Sequence, residues 1–125
     1  MQAIVIDDSR ATRLILGQLL RSLGFDVAEA ADGRQGLEEL RRRGDVDLAL
    51  VDGNMPDMDG LALVRAVRAD PGFRSLRLLL VSAEQDAGQV RRTLEAGADG
   101  YLAKPFSRQT VLDELCRLGL RSAEV

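Results

Sequence analysis

The sequence predicts an α/β fold in which a doubly wound sheet of five parallel strands, in the order 2-1-3-4-5, carries helices on both faces. Five short apolar runs alternate with five segments of helical periodicity along the 125 residues. Such alternation is typical of parallel strands joined by right-handed helical crossovers. The runs at residues 3–6, 48–51 and 78–81 are apolar at every position, which indicates strands buried on both faces. The strand order follows because it is a common one for a doubly wound sheet of five strands.

The predicted strands are short and end at polar or turn residues; they cover residues 3–6, 26–30, 47–51, 76–81 and 100–103. The predicted helices cover about residues 10–23, 34–43, 61–69, 87–96 and 108–118. In the first helix, leucines at positions 16, 19, 20 and 23 recur at the spacing of one apolar face. We expect a single domain over residues 1–120 and a short C-terminal tail over residues 121–125.

Composition and charge exclude several classes of protein. Hydrophobic residues make up 46% of the chain and charged residues 30%, as in an ordinary globular domain. The net charge of −3 disfavours direct contact with nucleic acid, which usually needs a basic face. No apolar run approaches the ~18 residues of a membrane span, and the first residues lack the basic start of a signal peptide. The single cysteine excludes an internal disulfide, so we expect a cytoplasmic protein.

Two features of the basic residues restrict the kinds of functional site that the chain can form. The chain has no histidine, which excludes histidine metal ligands, histidine-based triads and a phosphohistidine formed on this chain. Sixteen of the seventeen basic residues are arginine, and the only lysine is Lys104. Its retention in so arginine-rich a chain is either chance or a sign that this position needs a compact ammonium group.

Polar side chains follow four of the predicted strands at the point where each strand ends. Asp7 and Asp8 follow the first strand, Asp52 the third, Ser82 the fourth and Lys104 the fifth. In a doubly wound sheet, functional residues lie beyond the carboxyl ends of the strands. Because the first and third strands are neighbours in the predicted order, the three carboxylates should lie close together.

Three carboxylates packed together repel one another unless their pKa values rise or a cation neutralises them. A site of oxygen ligands without cysteine or histidine favours a hard ion, and Mg²⁺ or Mn²⁺ fits this description. Alternatively, Asp7 and Asp8 cap the first helix, which explains one acid but not two acids beside a third. The turn after the first strand has no glycine-rich phosphate-binding motif, which argues against a nucleotide site.

Four motifs, each at the end of a predicted strand, resemble those of response regulator receiver domains. They are Ile-Asp-Asp-Ser at residues 6–9, Val-Asp-Gly-Asn-Met-Pro-Asp-Met-Asp-Gly at 51–60, Val-Ser-Ala-Glu at 81–84 and Tyr-Leu-Ala-Lys-Pro-Phe at 101–106. The resemblance covers nearly the whole chain, and within the family the chain is most similar to the single-domain chemotaxis regulators of the CheY type. It implies a flavodoxin-like (βα)5 fold and a role in two-component phosphorelay signalling.

The resemblance implies roles for the residues around the carboxylates. Asp52 corresponds to the acceptor that becomes an aspartyl phosphate. Asp7 and Asp8 correspond to carboxylates that hold Mg²⁺, with Asp8 the more direct ligand, and the Asp52 carboxylate and the backbone carbonyl of Asn54 complete the protein ligands. Asn54 and Glu84 correspond to positions that tune the kinetics of the phosphorylated state.

The resemblance also implies a switch. Ser82 corresponds to a hydroxyl that bonds a phosphoryl oxygen, and Lys104 to the lysine that pairs with the phosphoryl group. Tyr101 corresponds to an aromatic residue that moves between an outward and an inward position. The Lys104–Pro105 bond corresponds to a peptide bond that is cis in the family.

The implied function is a signalling switch rather than a metabolic enzyme. It takes a phosphoryl group from a sensor histidine kinase, catalyses only its own phosphorylation and slow dephosphorylation, and controls a protein partner through the fourth helix, fifth strand and fifth helix, as in chemotaxis or motility. No direct contact with nucleic acid or membrane is expected. Two alternatives remain: a receiver excised from a longer regulator with a DNA-binding or enzymatic output domain, and a metal-dependent phosphatase with an aspartate nucleophile. Such a phosphatase commonly has an aspartate two residues after the nucleophile, where this chain has Asn54.

Overall fold

The computed structural model describes residues 1–53, 55, 58–83 and 87–120. Within these residues, parallel strands alternate with α-helices as predicted. The strands are β1 (Gln2–Ile6), β2 (Asp26–Ala30), β3 (Leu48–Asp52), β4 (Arg77–Ala83) and β5 (Gly100–Lys104). The helices are α1 (Arg10–Ser22), α2 (Gly33–Arg43), α3 (Gly60–Arg68), α4 (Ala87–Ala96) and α5 (Arg108–Arg117), with one 3₁₀ turn at Pro71–Phe73 that the sequence analysis did not predict.

The five strands form one parallel sheet in the order β2-β1-β3-β4-β5, which confirms the predicted topology. Successive side chains of a strand point to opposite faces, so a central strand contributes to two cores. Ile4 and Ile6 of β1 pack in one core with Leu63 of α3. Val5 packs in the other core with Leu115 of α5. Both faces of the sheet are therefore covered, as the continuously apolar strands indicated.

Three strands extend further at their carboxyl ends than the apolar pattern predicted. Asp52 pairs with Val81 across β3 and β4, and Ser82 pairs with Ala103 across β4 and β5. Lys104 is likewise the last residue of β5. The apolar runs stop earlier because the ladder of backbone hydrogen bonds continues through residues whose side chains are polar. Asp52, Ser82 and Lys104 therefore lie within the sheet itself, whereas Asp7 and Asp8 follow β1.

Four helices begin at a side chain that caps their first turn. The caps are Ser9, Asp32, Asp59 and Ser107, whose side-chain oxygens accept hydrogen bonds from backbone N–H groups three residues later. Such caps satisfy donors that have no partner inside the helix. In the described part of the chain, no helix is both long and apolar enough to cross a membrane.

One arginine bonds several backbone groups near the amino ends of β4 and β5, at the end of the sheet opposite the candidate site. The guanidinium of Arg68 donates to the carbonyl oxygens of Gly97, Phe73 and Leu76 at 2.9, 2.8 and 2.7 Å. It also pairs with Asp99 at 2.9 Å, and the same Asp99 oxygen accepts from the backbone N–H of β4. A planar group with five donors suits this arrangement, because three carbonyls and a carboxylate are satisfied at once.

We therefore expect Arg68→Lys to lower the free energy of unfolding by roughly 2–4 kcal/mol, because an ammonium group cannot reach all of these acceptors. Arg65→Lys is the matched control, since Arg65 lies on the same helix and is exposed. Denaturant unfolding of both variants measures the difference. Equal losses of stability in the two variants would show that the Arg68 contacts contribute little.

Candidate functional site

Three carboxylates, those of Asp7, Asp8 and Asp52, meet at the carboxyl edge of the sheet. One carboxylate oxygen from each residue can be selected so that all three oxygens lie within 4.8 Å of one another. Ile6 and Val51 are partners in the ladder between β1 and β3, so the residues that follow them are brought side by side. The side chains of Asp7 and Asp52 are buried, at 2% and 4% residue exposure, while Asp8 is exposed. The predicted convergence of the carboxylates is thus observed.

The backbone around Asp52 is held by close packing as well as by the sheet. Gly53 continues the ladder because its N–H donates to the carbonyl of Val81 at 3.0 Å. Gly60, the first residue of α3, lies against the same segment. A Cβ atom at position 60 would lie 2.9 Å from the Asp52 carbonyl oxygen and 3.1 Å from the Gly53 Cα. Glycine at position 60 therefore allows α3 to begin directly against the end of β3.

In the described structure, one carboxylate oxygen of Asp7 accepts a hydrogen bond and the other has no hydrogen-bond partner. Its Oδ1 accepts from the Ser9 backbone N–H at 2.8 Å, and its carbonyl oxygen accepts from Arg13 at 2.7 Å. Its Oδ2 is a buried oxygen with no hydrogen-bond partner among the described residues. The cap of α1 is Ser9, whose side chain accepts from the Thr12 N–H at 3.2 Å. The alternative that Asp7 or Asp8 is the helix cap is therefore wrong.

Burial raises the pKa of the Asp7 carboxyl from 3.8 to about 6. The charge of Asp52 and, less strongly, that of Asp8 act in the same direction, while the hydrogen bond from Ser9 and the ammonium of Lys104 oppose the rise. Desolvation disfavours the charged carboxylate, and a neighbouring like charge adds to this cost. The cluster is therefore strained electrostatically when all its members are ionised.

The one lysine of the chain lies beside the two buried carboxylates. Lys104 Nζ is 3.3 Å from Asp52 Oδ1 and 3.9 Å from Asp7 Oδ2, and its side chain is 35% exposed. The Lys104–Pro105 peptide bond is cis, as expected from the family resemblance. Because the ammonium group is partly in solvent, it offsets only part of the negative charge of the cluster.

The two predicted switch residues lie on β4 and β5. Ser82 is buried at 2% exposure, and its Oγ lies 3.4 Å from both the Ala83 carbonyl oxygen and Gln89 Oε1. These distances are long for hydrogen bonds that an O–H group donates, so the hydroxyl is held weakly. Tyr101 lies on the edge strand with 43% of its surface exposed. The predictions for Asn54, for Glu84 and for the tail at 121–125 concern residues outside the described ones.

Sequence reasoning missed two residues that support the site. Arg13 donates to the Asp7 carbonyl and pairs with Glu29 of β2 at 3.3 Å. Gln89 of α4 donates to the Gly53 carbonyl at 2.6 Å. Both bond to backbone carbonyls, which every residue type carries, so no motif in the sequence marks these contacts.

The three carboxylates fit a divalent cation such as Mg²⁺. The donors are all hard oxygens, and Asp7 Oδ2 is buried without a hydrogen bond in the described structure. Mg²⁺ commonly binds one or two carboxylates and keeps waters in its remaining positions. Exposed Asp8 and buried Asp7 and Asp52 would supply such a set, with one side of the cluster open to solvent.

We expect Asp7→Asn to stabilise the metal-free protein at neutral pH. The folded pKa of about 6 lies above the unfolded value of 3.8, so ionised Asp7 reduces stability progressively as the pH rises between these values. Asparagine keeps the acceptor for the Ser9 N–H but carries no charge. The gain in free energy of unfolding should be near zero at acid pH and reach at most about 3 kcal/mol above pH 6.

Thermal unfolding in a chelator across this pH range measures the effect, with Asp45→Asn as the control because Asp45 is exposed. Added Mg²⁺ should then stabilise the wild-type protein more than Asp7→Asn, since a ligand of the folded state raises its stability. The explanation is wrong if both variants give the same pH profile.

Comparisons with known proteins agree with this geometry. Residues 3–116 match the family model of the response regulator receiver domain. The chemotaxis protein CheY of Pseudomonas aeruginosa is 40% identical over 116 residues, which cover 92% of this chain and 93% of that protein. The structure of chemotaxis protein CheY4 of Vibrio cholerae matches with a TM-score of 0.86 at 32% identity, covering 94% of this chain and 97% of that one.

A further solved structure bears on the metal. The receiver domain of sensor histidine kinase PA1611 of Pseudomonas aeruginosa matches with a TM-score of 0.84 at 31% identity, covering 94% of this chain and 97% of that one. That protein was solved with a magnesium ion coordinated in its active site cleft. CheY-like receiver domains are signalling proteins rather than metabolic enzymes, which favours a switch over the phosphatase alternative. The chain belongs to the response regulator receiver domain family and is CheY-like.

Proposed function

We propose that this receiver domain accepts a phosphoryl group on Asp52 from a partner histidine kinase and then changes the surface formed by α4, β5 and α5. The observation that supports this most directly is the contact of 3.3 Å between Lys104 Nζ and Asp52 Oδ1 inside the carboxylate cluster. It places one carboxylate oxygen next to a positive charge while like-charged neighbours surround it. That combination suits a nucleophile whose product is an anion.

The transfer itself needs a nucleophile in line with the leaving group. A carboxylate oxygen of Asp52 attacks the phosphorus of a phosphohistidine, and an O–P bond forms as the N–P bond breaks. The electron pair of the broken bond stays on the imidazole nitrogen, which takes a proton from solvent. None of these 125 residues is a histidine, so the donor imidazole lies outside this domain.

Two sources of positive charge assist this step. Lys104 is already beside Asp52 and can pair with the phosphoryl oxygens as they approach. A bound Mg²⁺ would supply further positive charge against the carboxylates and the phosphoryl oxygens. We propose that Asp8, Asp52 and the Asn54 carbonyl hold this ion directly, with Asp7 acting mainly through water.

The acceptor is suited to hold the phosphoryl group for a time rather than to release it at once. Two residues after Asp52 the chain has Asn54, whose amide cannot act as a general acid or base. We propose that Asn54, two residues after the acceptor, and Glu84, two residues after Ser82, set the lifetime of the phosphorylated state. This supports a signalling role over a phosphatase with the same nucleophile.

The conformational response is proposed to run from Ser82 to Tyr101. The Ser82 hydroxyl is held weakly, so it can turn to donate to a phosphoryl oxygen on Asp52. Tyr101 borders a cleft of about 280 Å³ between β5 and α5 that Thr110 and Glu114 also line. Movement at the end of β4 would change the surroundings of the neighbouring β5 and expose a different surface to a protein partner.

The names of the relatives support a proposal for the partner and pathway. Relatives of this chain include chemotaxis proteins of the CheY type, so we propose a target in chemotaxis or motility that binds the α4, β5 and α5 surface. A receiver that acts on an attached output domain remains the alternative. A pull-down compares the phosphorylated domain with Asp52→Asn. A protein captured only by the phosphorylated domain would support a separate target over an attached output domain.

We expect a single stable phosphorylation site, at Asp52. After incubation with Mg²⁺ and acetyl phosphate, intact-mass measurement should show one added phosphoryl group on the wild-type protein and none on Asp52→Asn. Asp45→Asn serves as the matched control because it removes an exposed carboxylate that precedes β3, at the opposite end of that strand from Asp52. Labelling of Asp52→Asn to the wild-type level would refute the assignment.

We expect Ser82→Ala to accept the phosphoryl group but to couple phosphorylation poorly to the change at Tyr101. The variant lacks the hydroxyl that would bond the phosphoryl oxygen, while Asp52 and Lys104 are unchanged. Tyr101 is the only tyrosine in a chain without tryptophan, so its fluorescence reports on the switch residue directly. Beryllium fluoride should change this fluorescence in the wild-type protein and change it much less in Ser82→Ala; an equal change would exclude the proposed route.

A further inference from the structure

The side-chain amide of Gln89 links the beginning of α4 to the ends of two strands at the site. Its Nε2 donates to the Gly53 carbonyl oxygen at 2.6 Å, one residue after Asp52. Its Oε1 lies 3.4 Å from the hydroxyl of Ser82 at the end of β4. One side chain thus contacts the residue after the acceptor and the residue that is proposed to sense the phosphoryl group.

Both ends of this link are fixed. The Gly53 N–H donates to Val81, so the carbonyl that Gln89 contacts belongs to a residue held in the sheet. A Cβ atom at position 53 would lie only 2.9 Å from Gln89 Oε1, so glycine allows the amide to lie against the backbone. At the other end, the fully buried Thr93 donates from Oγ1 to the Gln89 carbonyl at 2.8 Å. The amide therefore projects from an anchored helical turn.

The two contacts of the amide differ in strength. The 2.6 Å bond to Gly53 is short, whereas the 3.4 Å contact with Ser82 is at the limit of a hydrogen bond. Redirecting the Ser82 hydroxyl toward a phosphoryl oxygen therefore costs little. Moving the end of β4 and the beginning of α4 costs more, because the amide must leave the Gly53 carbonyl or pull on it.

We infer that Gln89 is a positioning residue that restrains the switch by holding the beginning of α4 against the Gly53 carbonyl in the unphosphorylated arrangement. This inference rests on the proposed function, since a restraint matters only if a phosphoryl group on Asp52 draws Ser82 toward it. The restraint lowers the population of the switched arrangement before phosphorylation. By thermodynamic coupling, it also lowers the affinity for anything that binds the switched arrangement more tightly.

The test replaces the amide and measures the affinity for a phosphoryl mimic. Gln89→Met keeps the length of the side chain but has no N–H donor for Gly53. Beryllium fluoride is titrated in excess fluoride and Mg²⁺ while backbone NMR signals at Asp52 and Gly53 report binding and Tyr101 fluorescence reports switching. The variant should bind the mimic roughly three- to tenfold more tightly than the wild-type protein, the effect of about one net hydrogen bond. Gln18→Met is the matched control because Gln18 is exposed on α1.

The outcomes separate this inference from the proposed function. If neither the wild-type protein nor Gln18→Met binds the mimic, the proposed function fails and the restraint fails with it. If both bind it and Gln89→Met binds equally or more weakly, the restraint is excluded while phosphorylation at Asp52 stands. Gln89→Ala provides a second variant in case the methionine is poorly accommodated, and it must change the affinity in the same direction. A purely structural role would lower the melting temperature without tightening the binding of the mimic.

Discussion

Carboxylates that are buried side by side repel each other, and the fold must hold Asp7 and Asp52 together against that repulsion. The two residues cannot easily move away from each other, because Asp52 is paired in the sheet and Asp7 follows the neighbouring strand. Burial raises the pKa of the Asp7 carboxyl, and the neighbouring charge of Asp52 adds to the rise. A cation, a proton or the nearby ammonium group relieves the repulsion, so the site is prepared for positive charge by the geometry of its backbone.

The opposite end of the sheet, near the amino ends of β4 and β5, is stabilised by polar contacts. There, Arg68 satisfies three carbonyl oxygens and a carboxylate, and Asp99 in turn bonds the start of β4. Stabilising polar contacts are thus concentrated at the amino ends of β4 and β5, whereas a weakly held hydroxyl lies at the carboxyl end of β4. In the described residues, the amino end of β4 is therefore held by more and shorter polar contacts than the hydroxyl of Ser82 near its carboxyl end.

The strand order and the meeting of the carboxylates could be predicted because they depend on patterns that repeat along the sequence. Continuous apolar runs identify buried parallel strands, and the polar residue after each run then falls at one edge of the sheet. The predicted ends of β3 and β4 come too early, because the polar side chains of Asp52 and Ser82 interrupt the apolar pattern although the backbone ladder continues. Arg13 and Gln89 could not be found for a related reason: their partners are carbonyl oxygens that carry no signature of residue type.

The charge balance at the carboxylate cluster also affects which molecules can compete for the site. Three carboxylates face a single ammonium group that is partly in solvent. Free inorganic phosphate, chloride and nucleotides therefore meet an excess of negative charge, and Lys104 alone cannot hold them against it. The protein donor proposed above would offset part of the repulsion of its phosphoryl group with contacts made elsewhere on the surface. Without a bound cation, the acidic cluster thus keeps abundant small anions away from Asp52, whereas a divalent cation would lower this electrostatic barrier for a phosphodonor of any size.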